Sequence, residues 1–189
     1  MGICTVVMAL SFCGGAMAQL SRVAYTPHLL QEGFGPHGEF LPNDGSEYCV
    51  PTSFTMAMYW LRANGLTQAA PKLTKQNALD TDLAIAGFYA TNPGGGTEST
   101  STTASTPKIL TYLALRGIAG VQVRKFNKPD YAKIQEAVQG ANIGVINIAW
   151  VNAASLQRTN GHDVVVVATG IDAGGGSAPS NVVINNPMA

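Results

Sequence analysis

Glu47-Tyr48-Cys49-Val50-Pro51-Thr52-Ser53-Phe54-Thr55-Met56-Ala57-Met58-Tyr59-Trp60-Leu61 is the stretch around which the chain is organised. Proline suits a first helical turn, because the N–H it lacks would have no partner there. Phe54, Met58 and Leu61 fall on one face at helical spacing, and Ala57 and Trp60 widen that face. The pattern predicts a helix over Pro51–Ala63, buried on most sides and stopped by Asn64-Gly65. Cys49 stands at its mouth, where unpaired N–H groups and the helix dipole favour a thiolate.

Whether that cysteine is free depends on the rest of the chain. The 189 residues suit one domain. A net charge of zero and a charged fraction of 12% argue against a nucleic-acid partner, which needs a basic face to neutralise phosphates. Ile3–Ala16 is apolar and is followed by Ala16-Met17-Ala18, so residues 1–18 read as a signal peptide, although Met1-Gly2 lacks the usual basic residue. Phe12 fits poorly before a lipoprotein cysteine at Cys13. The expectation is a secreted or periplasmic protein with no membrane span in the mature chain. Cys4 and Cys13 then leave with the signal, and Cys49 is the one thiol that stays. In an exported protein such a thiol is either buried and inert or kept for its reactivity.

Residues 19–43, rich in Gly, Pro and His, read as an extended arm. Gly33-Phe34-Gly35-Pro36-His37-Gly38 matches a dinucleotide fingerprint only in letters, since no strand precedes it and no helix follows. A second helix is expected over Leu73–Tyr89, facing inward through Leu79, Leu83 and Ile85 or Ala86. A polar loop follows over Asn92–Thr106, and a third helix from Pro107 to Leu115 uses Ile109, Leu110 and Leu113. Strands are expected over Val121–Phe126, Gly144–Val151, His162–Ile171 and Asn181–Asn186, with a short helix over Pro129–Val138. Helices followed by strands indicate an α+β domain over residues 44–189, with a mainly antiparallel sheet.

His162 opens a strand with four consecutive valines. If that strand pairs with the last one so that Val167 faces Asn181, then His162 faces Asn186, close enough for an amide oxygen to hold the imidazole. A one-residue slip would offer Asn185 on the other face instead. Cys49, His162 and Asn186 would form an acyl-transfer set of nucleophile, base and orienter. The Cys49 N–H and an upstream side-chain amide would then hold the oxyanion. His28, His37 and His162 lack a ligand spacing, so no metal is expected, and no cofactor either.

Cys49-Val50-Pro51-Thr52-Ser53, Tyr59 with Gly65, Gly161-His162-Asp163-Val164-Val165-Val166-Val167 and Ile184-Asn185-Asn186-Pro187 occur in an order that resembles the papain-like cysteine peptidases. The similarity is strongest to bacterial stand-alone domains related to the double-glycine leader peptidases, and it covers Asp44 to Pro187. It implies a papain-like fold with the nucleophile at a helix N-terminus packed on the sheet, and a peptidase acting on a peptide or protein substrate. It also implies Asn43 as the oxyanion residue, where the family usually has Gln. Val50 stands where the family has Gly, and Asn186 where this branch has Asp. No Walker-type Gly-x-x-x-x-Gly-Lys-Ser/Thr is present, so transporter-coupled leader cleavage is not implied. Two other expectations stay open: an inactive papain-like module that binds an extracellular peptide or protein, and a transglutaminase-like acyl transferase.

Overall fold

In the computed structural model, which describes residues 6–12, 26–31, 41–92, 105–127, 129–138, 142–152, 154–155, 157–171 and 177–188, the first helix (α1) runs from Cys49 to Ala63. It starts two residues before Pro51, and its first turn closes through Thr52 N–H donating to the Tyr48 carbonyl at 2.9 Å. Every residue from Val50 to Leu61 is buried. Full burial of a side chain such as Phe54 or Leu61 contributes about 1.5–3 kcal/mol. The end is a Schellman turn: Leu66 N–H reaches the Leu61 carbonyl, Gly65 N–H reaches that of Arg62, and Gly65 takes φ +104.

Helix α2 (Lys75–Tyr89) is capped by the Thr74 hydroxyl, which accepts from Asn77 N–H at 3.1 Å. Its inward residues are Ala78, Leu79, Asp82, Ile85, Ala86 and Tyr89. Leu83, expected inside, is 40% exposed, and its neighbour Asp82 takes the buried place. In α3 (Ser105–Leu115) Ile109 and Leu113 face inward as expected, whereas Leu110 faces out and Tyr112 replaces it. α4 is short (Tyr131–Glu136), with Asp130 as its cap. Stacking of Phe54 on Tyr89, with centroids 5.2 Å apart, joins α1 to α2.

Five strands form one sheet in which every neighbouring pair is antiparallel: β1 (Val6–Phe12), β2 (Val121–Asn127), β3 (Asn142–Val151), β4 (Arg158–Ile171) and β5 (Ser177–Asn185). The spatial order is β2-β1-β3-β4-β5, and the domain is therefore α+β. Val6–Phe12, part of the stretch read as a signal, is the strand that joins β2 to β3. It pairs with β2 from Val6–Asn127 to Phe12–Val121, and with β3 from Val7–Ile146 to Ser11–Asn142. α1 packs against β3 and β4. The Gly-rich stretch 33–38, His37, and residues 93–104 of the expected polar loop lie outside the described residues.

The register of the last hairpin differs from expectation. Val165 faces Asn185 and Val166 faces Ile184, after which the register shifts so that Ala168 faces Val183. Val167 is thus the extra residue of a bulge, not the partner of Asn181. His162 and Asn186 are offset by two residues from direct opposition. A shift of two keeps both side chains on one face, and a shift of one would not have done so.

Candidate active site

Asn186 follows the last residue of β5, where the chain turns through Pro187. Its Oδ1 accepts the Met188 N–H at 3.0 Å, a local turn that sets the side chain. The same Oδ1 lies 2.7 Å from His162 Nε2. An oxygen that accepts a backbone N–H is an acceptor toward the imidazole too, so Nε2 carries the proton. Nδ1 is then the ring nitrogen with the lone pair. His162 is buried beside Ile148, its direct partner on β3. Burial pulls its pKa below the usual histidine value, and the Asn186 hydrogen bond pulls it up only in part.

Cys49 is half-buried at the first position of α1. The side chain of Tyr48 does not cap the helix, which leaves the first-turn N–H groups to other acceptors. Ser53 Oγ donates to the Asp163 carbonyl at 2.9 Å, tying the first turns of α1 to β4 one residue beyond His162. The thiol is pushed up to about 12, first by burial and then by the Asp163 carboxyl, with Glu47 adding to it. The Asp163 and Val50 backbone hydrogen bonds lower it only in part. The helix mouth was expected to favour a thiolate; desolvation outweighs the dipole, and the resting side chain is a thiol.

Asp163 is a site residue that the sequence reading passed over. Its carboxylate accepts from Asn147 Nδ2 at 2.6 Å across the β3–β4 pair. Burial raises its pKa to about 6 against this hydrogen bond. A charged residue at the head of a valine strand was the signal that could have marked it.

Asn43 lies in a 3-10 turn, Pro42–Gly45, with φ 56. Its amide donates to Ser46 Oγ at 2.7 Å on the exposed side of the turn. The more buried amide near that turn belongs to Gln31, whose Nε2 donates to the Gly45 carbonyl at 2.6 Å. Gly45 has φ +75, and a Cβ there would lie 1.8 Å from the Gln31 carbonyl oxygen, so only glycine fits.

Gln31 belongs to a strap, Thr26–Gln31, laid over the end of β5. Gln31 N–H donates to the Pro187 carbonyl and His28 Nε2 to the Asn186 carbonyl, both at 2.8 Å, and Asn185 Nδ2 donates to the Pro27 carbonyl at 3.2 Å. Asn185 is therefore engaged with the strap and Asn186 with His162. Nothing in the composition of the arm signalled this role.

Among the described residues no group of three His, Cys, Asp or Glu side chains could hold a metal ion. None of the described helices is long and apolar enough to cross a membrane. No protein-family model matches the chain, and neither a curated protein nor a solved structure shows significant similarity to it.

Proposed function

We propose that the chain is a cysteine peptidase of papain-like type, acting on peptide or protein substrates. The observation that carries the reading is the doubly accepting Asn186 Oδ1, which fixes His162 as an Nε2–H imidazole with a basic Nδ1. Cys49 is the nucleophile, His162 the general base and then acid, and Asn186 the orienter.

The raised thiol and lowered imidazole pKa values define how the step runs. Forming the ion pair before substrate binds is uphill, because burial makes the thiol hold its proton more tightly and the imidazole accept one less readily. Attack is therefore base-assisted: Nδ1 takes the thiol proton as sulfur bonds to the scissile carbonyl carbon. The first-turn N–H groups of α1 receive the oxyanion. The imidazolium then gives its proton to the departing amine, leaving a thioester on Cys49. Water, deprotonated by His162, cleaves that thioester and restores the thiol.

The test is turnover of a fluorogenic peptide-amide library by the full chain. Cys49→Ser and His162→Ala are expected to abolish turnover, and Asn186→Ala to lower it by roughly a hundredfold. Failure of the unmodified chain to cleave any member, or cleavage that survives Cys49→Ser, overturns the reading. The pKa of about 12 at Cys49 favours a second reading, an inactive module on the same fold that binds a peptide. Saturable binding of library members without cleavage would support it.

A further inference from the structure

At the opposite end of α1 from Cys49 lies a cavity of about 450 Å³, lined by Thr26, Pro27, Tyr59, Arg62, Ala63 and Leu73. From Cys49 to this part of α1 the helix rises roughly 15–20 Å at 1.5 Å per residue, so the cavity lies away from the thiol. Its size is that of a small-molecule site. Pro27, Ala63, the Tyr59 ring and Leu73 give it an apolar wall, and Leu73 remains 47% exposed at that wall.

One charge stands in the lining. Arg62 Nη1 donates to the carbonyls of Thr67 at 2.7 Å and Ala70 at 2.9 Å, which fixes the side chain in place. The ion pairs among the described residues join Arg124 and Lys133 to Glu136, and none of them includes Arg62. The C-terminal dipole of α1 offsets about half a unit charge there and leaves the guanidinium net positive. Thr26 Oγ1, in the same lining, is buried with no hydrogen-bond partner.

We infer that this cavity binds a small amphiphile with an unbranched apolar chain and a carboxylate head held by Arg62. The apolar wall takes the chain, and the fixed guanidinium selects the sign of the head group. Through the Pro27 carbonyl the site shares a wall with the strap on Asn185. The inference does not depend on peptidase activity.

Calorimetric titration of the full chain with decanoate, below its micellar range, tests it. One-to-one binding is expected, with decyltrimethylammonium, the same chain carrying a cationic head, binding at least tenfold more weakly. Ala63→Trp, at the last position of α1, fills the cavity and is expected to weaken decanoate at least tenfold. Arg62→Gln is expected to weaken it similarly and Arg62→Lys to retain most of it. Absence of decanoate binding, equal binding of the two head groups, or full affinity in Ala63→Trp would each overturn the inference.

Discussion

Two carboxyls are buried on either side of the first turns of α1, and they are held in different ways. Asp163, on β4, accepts an amide hydrogen from Asn147, and its pKa settles at about 6. Asp82, on α2, has the Thr52 hydroxyl near it, but that hydroxyl makes no well-formed hydrogen bond to either oxygen. Burial pushes it well above the usual carboxylate value, and the Thr52 hydroxyl pulls it down only weakly. Both pay a desolvation penalty, and one good hydrogen bond separates an acid ionised at neutral pH from one that stays protonated well above the usual carboxylate range. Only Asp163 also bears on the thiol. The two walls of α1 are therefore not equivalent: β4 can tune Cys49, and α2 supports the helix beneath it.

The largest expected effect is on stability and belongs to Asp82. Both folded pKa values are raised, so the folded protein holds protons that the unfolded chain releases, and stability falls as pH rises. The contribution of each acid is fully present below its unfolded value near 3.8 and is lost as pH climbs through its folded value. Asp82→Asn, which copies the neutral form, is expected to remove the decline that persists above pH 6. Urea unfolding of both proteins at several pH values reads this directly. A variant as pH-sensitive above pH 6 as the parent would place the burden elsewhere.

Next is Asp163→Asn. Between pH 4 and 6 Asp163 alone removes about 3 kcal/mol of stability, at 1.36 kcal/mol per pKa unit. The variant is expected to reduce the decline in that window by about half, the rest and the slope above pH 6 belonging to Asp82. If the window is unchanged, Asp163 is ionised far lower than its burial implies.

The smallest effect is kinetic. With a thiol near 12, iodoacetamide labelling of Cys49 should rise about tenfold per pH unit up to pH 9 without a plateau. Asp163→Asn removes one of the charges that raise the thiol and should speed labelling severalfold at pH 8. Asp82→Asn should not change it. Equal acceleration by both variants would make the two walls equivalent after all.

The helices were legible because their apolar spacing and stop signals are local, and their ends fall within about two residues of expectation. The inward place of Asp82 was legible too, since it continues the stripe of Ala78, Leu79, Ile85 and Ala86; Leu83 was preferred on hydrophobicity alone. The bulge at Val167 was not legible, because four valines in a row look the same under any slip. The His162–Asn186 bond was nonetheless anticipated, since the register error preserved the face. The thiolate was overestimated because the sequence marks a helix dipole but not how far the sulfur is removed from water. β1 was missed for a related reason: a short apolar run reads alike as a signal core and as a strand.

The place of β1 also bears on how the chain reaches its fold. Val6 pairs with Asn127, and Val7 with Ile146, so most of the chain must be made before either neighbour exists. Loop closure of that span has to be achieved before those contacts contribute, which places the sheet among the slow, high-contact-order topologies. The helices, closed by local contacts, can form while β1 still waits as an unpaired apolar segment. Crowding and chaperone supply should therefore govern the yield of this protein through β1 more than through any part of the candidate site.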